Sequence, residues 1–286
     1  MLPNPTPEQL LRRVKRAADD LAGRGFAEVH DMWTDAPLAR AVRTLDDAGG
    51  LPLRVALAPL HRELQAAQAD PAFQPSGNVG LAGVKIFTDG TLNSRTAHML
   101  APYADSPRDH PAGVALMSET EIASAVRDAD AAGLPIIAHA IGDAAVRTTL
   151  DAIERAAPRA PGQRIEHAQF VDAGDIPRFA ALRVIASVQP CHLLPDIEAL
   201  RRLTPHRLGR AFPLRDLVDA ARAADRDPAT LVWMGSDAPV VPPERADNTR
   251  AAVRRCRPGG VAIAPEQAIT ADECDALSRA AVGSAR

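Results

Sequence analysis

The feature that most constrains this chain is a repeated unit in which a short apolar strand is followed by an amphipathic helix. The unit is clearest where residues 134–138 are almost wholly apolar, His139 ends the run, and a helical pattern continues to about Ala157. Strands that are apolar on both faces belong to parallel sheets that helices cover on each side. The sequence therefore predicts an α/β fold, with residues 1–286 forming a single domain.

Seven such strands can be placed along the chain, and most of them end in polar or ionisable residues. The predicted strands are 26–33, 52–58, 81–88, 134–139, 164–167, 184–190 and 231–237. Because a (β/α)8 barrel builds its active site at the carboxyl ends of its strands, this pattern predicts a TIM-type barrel. A doubly wound open sheet is the alternative, although the chain has no glycine-rich phosphate loop between a strand and a helix.

Capping sequences mark several helix starts. Thr6 and Ser118 each have a Gln or Glu three residues later, which is the pattern of a capping box. A further helix is predicted over 36–47. The polar stretch 89–113 is too long for a simple connection and predicts an active-site loop, while 59–78 has no clear assignment.

Lys85 stands out because Val, Ile and Phe flank it inside the third predicted strand. The chain has 33 basic residues, yet only Lys15 and Lys85 are lysines. Arginine keeps its charge, whereas a buried lysine can lose its proton and become a nucleophile, a Schiff-base former or, after reaction with CO2, a carboxylated metal ligand. A lysine that merely extends its amine from the strand to solvent is the competing interpretation.

Composition limits the partners and the compartment. The formal net charge is −3, which gives no general attraction to nucleic acid or to anionic lipid. The three cysteines are odd in number and widely spaced, so a disulfide framework is not expected. No leader pattern or membrane-spanning stretch is present in the sequence. We expect a cytoplasmic protein that acts on a small molecule.

His139, His167 and Asp237 are weak signals when each is taken alone. A barrel gathers the ends of separate strands into one cup, where they would meet Lys85. Two imidazoles, a carboxylate and an activatable lysine suit a divalent metal that keeps positions open for water and substrate. The sequence therefore predicts a metal site at the carboxyl end of the barrel.

Five motifs in this order resemble the metal-dependent amidohydrolase superfamily, and in particular the amidohydrolase 3 group that includes N-substituted formamide deformylases. The resemblance extends over about residues 6–281. The motifs are Val-Lys-Ile-Phe-Thr-Asp-Gly at 84–90 followed by Asn-Ser-Arg at 93–95, His-Ala-Ile-Gly-Asp at 139–143, Arg-Ile-Glu-His-Ala-Gln at 164–169, Gln-Pro-Cys-His at 189–192 and Gly-Ser-Asp-Ala-Pro at 235–239.

The resemblance implies hydrolysis of carbon–nitrogen bonds other than peptide bonds, in amides, formamides or cyclic amides. It implies that Lys85, after carboxylation, and Asp237 are both metal ligands and catalytic residues, with Asp237 as the general base. His139 and His167 would join carboxylated Lys85 as the three ligands of one divalent ion, most simply zinc, while Asp237 with Lys85 would belong to a second, neighbouring site.

The resemblance also implies residues around the metal. Arg95 and His192 would face the substrate, and His30, near the end of the first predicted strand, would join them. Glu166 would contact the metal-binding side chains without binding the metal itself. Asp143 would start the helix that follows His139.

The chain departs from the family at one motif. Family members carry a His-x-His pair on their first barrel strand, and no His-x-His occurs in these 286 residues. We therefore expect an incomplete barrel that lacks the first strand and the small β segment, binds one metal ion, and can form a homo-oligomer through its open edges.

Three functional alternatives follow from that departure. The chain is an active or impaired hydrolase with one metal ion, a fragment whose partner strand is encoded elsewhere or lost, or an inactive relic that binds a metal or ligand without turnover. A separate alternative is a lyase that forms a Schiff base on Lys85.

Overall fold

The computed structural model describes residues 5–106 and 108–279, in which strands and helices alternate along the chain. The strands are β1 (Glu28–Asp31), β2 (Arg54–Leu57), β3 (Val79–Leu81), β4 (Val84–Phe87), β5 (Ile136–Ala140), β6 (Arg164–His167), β7 (Ile185–Val188) and β8 (Val232–Met234). The helices are α1 (Pro7–Gly23), α2 (Ala36–Asp47), α3 (Leu64–Ala69), α4 (Glu119–Ala131), α5 (Asp143–Ala156), α6 (Ile176–Leu182), α7 (Leu193–Leu203), α8 (Leu214–Ala223), α9 (Arg245–Val253) and α10 (Ala271–Arg279).

Every paired strand in the described residues is parallel to its neighbour. One sheet has the order β1-β2-β3 and the other the order β4-β5-β6-β7-β8. The two sheets are joined because the Lys85 N–H donates to the carbonyl of Pro59 at 2.8 Å, just after β2. The α/β class with parallel strands, consistent with a TIM-like barrel, is thereby confirmed.

A break at Gly83 separates β3 from β4, where the sequence pattern predicts one strand over 81–88. Gly83 has a φ of 147°, and a Cβ there would lie 2.5 Å from the carbonyl oxygen of Pro135. Only glycine fits where the backbone passes so close to the chain that leads into β5. The prediction of one continuous strand is wrong because this close approach bends the chain.

The two ends of the strand order come near each other. Within the described ranges, β1 and β8 each pair with a single neighbouring strand. Across this seam, the rings of His30 and Trp233 meet edge to face at 6.3 Å, and Arg24 forms an ion pair with Glu244. The incomplete barrel and the association through its edges stay predictions.

Side chains alternate between the helices and the barrel interior, which determines where the functional groups point. Val84 and Ile86 of β4 are buried in the main apolar core with residues of α4 and α5. Because successive strand residues point to opposite faces, Lys85 and Phe87 face the interior. In the same way the apolar residues of β5 put His139 on the inner face.

Helix starts agree with the capping patterns. Thr6 and Ser118 form complete capping boxes with Gln9 and Glu121, and α2 has the bounds predicted for it. Residues 88–106 and 108–118 contain no helix or strand, in agreement with the predicted long loop. None of the helices described is long and apolar enough to cross a membrane.

Candidate metal centre

Five functional side chains meet at the carboxyl end of the strands. Lys85 is in β4, His139 in β5, and His167 is the last residue of β6. His192 follows β7 and Asp237 follows β8. Because all these strands are parallel, the groups at their ends share one edge of the sheet.

The three imidazoles form a row that ends at the carboxylate. The ring centroids of His139 and His167 are 4.6 Å apart, and those of His167 and His192 are 5.9 Å apart. Nε2 of His192 lies 3.9 Å from Oδ2 of Asp237. One ligand atom from each of His167, His192 and Asp237 lies within 4.8 Å of the other two, which is close enough for all three to bind one ion.

Unsatisfied nitrogens show that these residues fit a cation. Nδ1 of His167 and Nε2 of His192 are buried, and neither has a hydrogen-bond partner among the described residues. Buried polar atoms are nearly always paired, so two unpaired imidazole nitrogens close to a carboxylate form a set of donors that fits a cation. Divalent metals with nitrogen and oxygen ligands suit this donor set.

The backbone at two of these residues is strained. His167 has a φ of 71° and Asp237 a φ of 57°, both in the left-handed region. A non-glycine residue there costs about 1–3 kcal/mol and usually persists only where the surroundings enforce it. The strain lies at the two strand ends that supply candidate ligands, which supports a functional reason for it.

Burial keeps the imidazoles neutral, which is the form that binds a metal. Burial, followed by the charge of Lys85, lowers the pKa of His139 to about 4. Burial also lowers the pKa of His167 well below its usual value, with the charge of His139 as the next cause. Both rings therefore offer nitrogen lone pairs at neutral pH.

Lys85 is almost completely buried, so the interpretation of an amine reaching solvent is wrong. Its Nζ lies 4.9 Å from the ring centroid of Phe87. Burial lowers the pKa of Lys85 to about 8, although the charge of Glu166 opposes this shift. An amine with that pKa is partly neutral near pH 7, and only the neutral amine reacts with CO2 or with a carbonyl.

Glu166 lies behind the ligands. Burial alone would raise its pKa, but the charges of Arg164 and Lys85 lower it. One oxygen pairs with Nε of Arg164 at 2.7 Å, and the other accepts from Nε2 of Gln189 at 3.0 Å. This position agrees with the supporting role that the family resemblance implies.

Asp89 was not recognised from the sequence, where it reads only as part of an Asp-Gly turn. Its buried carboxylate accepts three backbone N–H groups, from His98 at 2.9 Å, Ile141 at 3.0 Å and Gly142 at 2.8 Å. It thereby ties the loop after β4 to the turn after β5. Its Oδ1 also lies 3.5 Å from Nε2 of His139, which contacts the carbonyl of Gly90 at 3.0 Å.

Asp237 and His192 lie at the end of the row of imidazoles, where the Asp237 side chain is partly exposed to solvent. Burial raises the pKa of Asp237, and the charge of His192 opposes the shift. The family resemblance implies that His192 faces the substrate. In the structure, His192 also lies close enough to Asp237 for both residues to bind one metal ion. Its signals in the sequence are its position just past the sixth predicted strand and its place in the Gln-Pro-Cys-His motif.

Two predicted substrate residues have other partners. The guanidinium of Arg95 pairs with both oxygens of Asp105, at 2.9 and 2.6 Å. His30 contacts Glu28 at 2.9 Å and Arg164 at 2.9 Å, which are the first residues of β1 and β6. The structure does not bring His30 into the row of imidazoles, and a substrate contact of either residue stays a prediction.

Asp143 has the structural role expected of it. It is the first residue of α5, and its Oδ1 accepts the N–H of Leu100 at 2.7 Å. It also forms an ion pair with Arg207. These contacts attach the long loop to the start of the helix.

Comparison with known proteins identifies similar chains. A model of the amidohydrolase family matches residues 1–282. The protein LONG AFTER FAR-RED 3 of Arabidopsis thaliana is 34% identical over 184 residues, covering 62% of this chain and 30% of its own length. The N-substituted formamide deformylase of Arthrobacter pascens is 25% identical over 270 residues, covering 89% of this chain and 47% of its own.

A solved structure is also similar. An uncharacterised metal-dependent hydrolase from Pyrococcus horikoshii superposes with a TM-score of 0.84 at 28% identity, and the match covers 98% of this chain and 56% of that one. The chain thus spans between about a third and somewhat more than half of the length of these relatives. The match with the family model covers almost the whole chain and confirms the resemblance carried by the five motifs, so the chain belongs to the amidohydrolase family.

Proposed function

We propose that this chain is a metal-dependent hydrolase of carbon–nitrogen bonds other than peptide bonds, in amides, formamides or cyclic amides. The observation that carries the proposal is the row formed by His139, His167, His192 and Asp237, in which two buried imidazole nitrogens lack a partner among the residues described. The similarity to an N-substituted formamide deformylase supports this class of substrate.

A bound divalent ion would polarise the substrate carbonyl and lower the pKa of water toward about 7. Asp237 would accept the proton of the attacking water and deliver it to the leaving nitrogen. Neutral His167 would hold the ion.

Two ligand sets can be drawn, and both contain His167. The geometry favours His167, His192 and Asp237, whose ligand atoms already converge. The set implied by the family resemblance uses carboxylated Lys85 and His139 with His167, and the 4.6 Å ring separation of the two histidines supports it. Either set gives three protein ligands, which is typical of catalytic zinc with an open position.

We propose one zinc ion per chain, a small-molecule substrate and a cytoplasmic location. Binding of metal without turnover is the second candidate, because no His-x-His pair occurs in these 286 residues. Association through β1 and β8 is also part of the proposal. Size-exclusion chromatography over a range of protein concentrations tests it, and a monomer at every concentration would contradict it.

Hydrolysis of a panel of N-substituted formamides and amides tests the proposal. We expect amine release by the zinc-loaded protein, loss of release after chelation, and recovery when zinc is restored. D237N should remove turnover while the protein stays folded, because it deletes the proton acceptor and, in the set that contains Asp237, one metal ligand as well. Turnover that survives both chelation and D237N would refute the mechanism.

The lowered pKa of Lys85 also suits imine formation, which would make the chain a lyase. Borohydride reduction in the presence of a ketone distinguishes the two chemistries. A covalent adduct on Lys85 supports the lyase, and zinc-dependent hydrolysis without an adduct supports the hydrolase.

A further inference from the structure

An exposed aromatic surface leads from solvent to the metal centre. Trp33 is 58% exposed, although a large aromatic side chain is usually buried. It follows β1, at the end of the sheet where the metal centre lies. Its ring packs against Phe87 with the centroids 5.7 Å apart.

Phe87 connects this surface to the candidate ligands. It is the last residue of β4 and lies opposite His139 in the strand register. The two rings are 5.4 Å apart, and the ring of His139 is in turn 4.6 Å from that of His167. The apolar faces of Trp33 and Phe87 are therefore continuous with the row of imidazoles.

We propose that Trp33 and Phe87 form an aromatic ledge that binds a flat apolar group of the substrate while its amide reaches the metal centre. This inference rests on the proposed function and adds the substrate class, an amide that carries an aromatic ring. Aromatic rings gain about 0.5–1.5 kcal/mol from stacked or edge-on contacts beyond the burial of their area, so a planar ring binds better here than a saturated one. That range corresponds to a factor of about 2 to 12 in affinity.

The experiment measures binding and needs no turnover. The chain has two tryptophans, so W233F leaves Trp33 as the only tryptophan fluorophore. Benzamide, cyclohexanecarboxamide and acetamide are titrated against the zinc-loaded W233F protein. We expect benzamide to change the fluorescence of Trp33 and to bind about 10-fold more tightly than acetamide, with cyclohexanecarboxamide between them.

Variants of the ledge are compared by calorimetry in the otherwise unchanged protein. W33A should remove the preference for benzamide and W33F should retain most of it. V261A is the matched control, because Val261 is also an exposed apolar side chain, at 76%, but lies in the segment after α9. Circular dichroism establishes that each variant folds. If W33A does not fold, the preference for benzamide measured in W33F still tests the ledge.

The outcomes separate this inference from the proposed function. A benzamide preference that depends on Trp33 supports the ledge even if no amide is hydrolysed, in which case only the proposed function fails. Equal affinities for benzamide and acetamide, or an unchanged preference in W33A, would overturn the ledge while leaving hydrolysis intact. A change in Trp33 fluorescence on dilution without benzamide would assign the surface to a second copy of the chain and would also overturn it.

Discussion

Removing the Asp89 carboxylate should cost the protein much of its stability. D89A leaves three backbone N–H groups without an acceptor, those of His98, Ile141 and Gly142. An unsatisfied buried donor costs about 1–3 kcal/mol, so the loss should be about 4 kcal/mol out of the 5–15 kcal/mol typical of a folded domain.

D89N should be milder for a reason visible in the geometry. Oδ2 accepts from both His98 and Gly142, while Oδ1 accepts from Ile141 alone. An amide oxygen in the Oδ2 position keeps two of the three bonds, so the expected loss is about 1–2 kcal/mol. D105N is the matched control in the same loop, where an ion pair with Arg95 is screened by solvent and contributes little to stability.

Urea unfolding of the metal-free proteins measures these free energies, because a bound metal would add its own stabilisation. D89A should be the most destabilised variant, followed by D89N and then D105N. The slope of the unfolding free energy against urea concentration should be the same in all of them. A loss below about 1 kcal/mol for D89A, or equal losses for D89A and D89N, would contradict the role assigned to Asp89.

Three further perturbations have defined outcomes. Burial alone would raise the pKa of Glu273, but hydrogen bonds from Arg215, the Thr270 backbone and Arg222 lower it to about 2. E273Q should therefore lower the free energy of unfolding by about 1–2 kcal/mol at pH 7. Unfolding measured at decreasing pH should show the stability difference between wild type and E273Q vanish between about pH 4.5 and about pH 2. R255M should cost about 3 kcal/mol in urea unfolding, because the buried guanidinium donates to three backbone carbonyls. Chelation should lower the Tm reversibly, as scanning calorimetry with zinc added back would show.

The sequence predicted most of what depends on local pattern. The capping boxes at Thr6 and Ser118 start helices where expected, and the strand over 164–167 has its predicted bounds. The convergence of His139 and His167 was predictable because parallel strands bring their ends to one edge.

Local sequence patterns could not predict contacts between segments that are far apart in the chain. Nothing in the sequence around Gly83 shows that the chain before β5 passes over it, and this contact divides the predicted strand. The helix α3 was missed because the short apolar pattern within 59–78 is interrupted by turns. Helices α6, α7 and α8 were likewise not predicted.

The metal centre also combines features that the sequence predicts with contacts that it does not. Asp89 looks like a turn residue until the N–H groups from two other segments are seen to converge on it. His192 lies 25 positions after His167, and only the packing of the turn after β7 brings it near Asp237. Arg95 pairs with Asp105 of the same loop, a contact that the sequence does not show, and its contact with a substrate stays a prediction.

The most direct test of the metal centre is the zinc content of the purified protein, measured by elemental mass spectrometry in the wild type and in H167A. His167 belongs to both ligand sets, so its loss should remove the ion whichever set is used. H61A is the control, because His61 pairs with Asp128 and belongs to neither ligand set. We predict one zinc per chain in the wild type and in H61A, and none in H167A; a metal-free or two-metal wild type, or an H167A protein that keeps its zinc, would contradict the assignment.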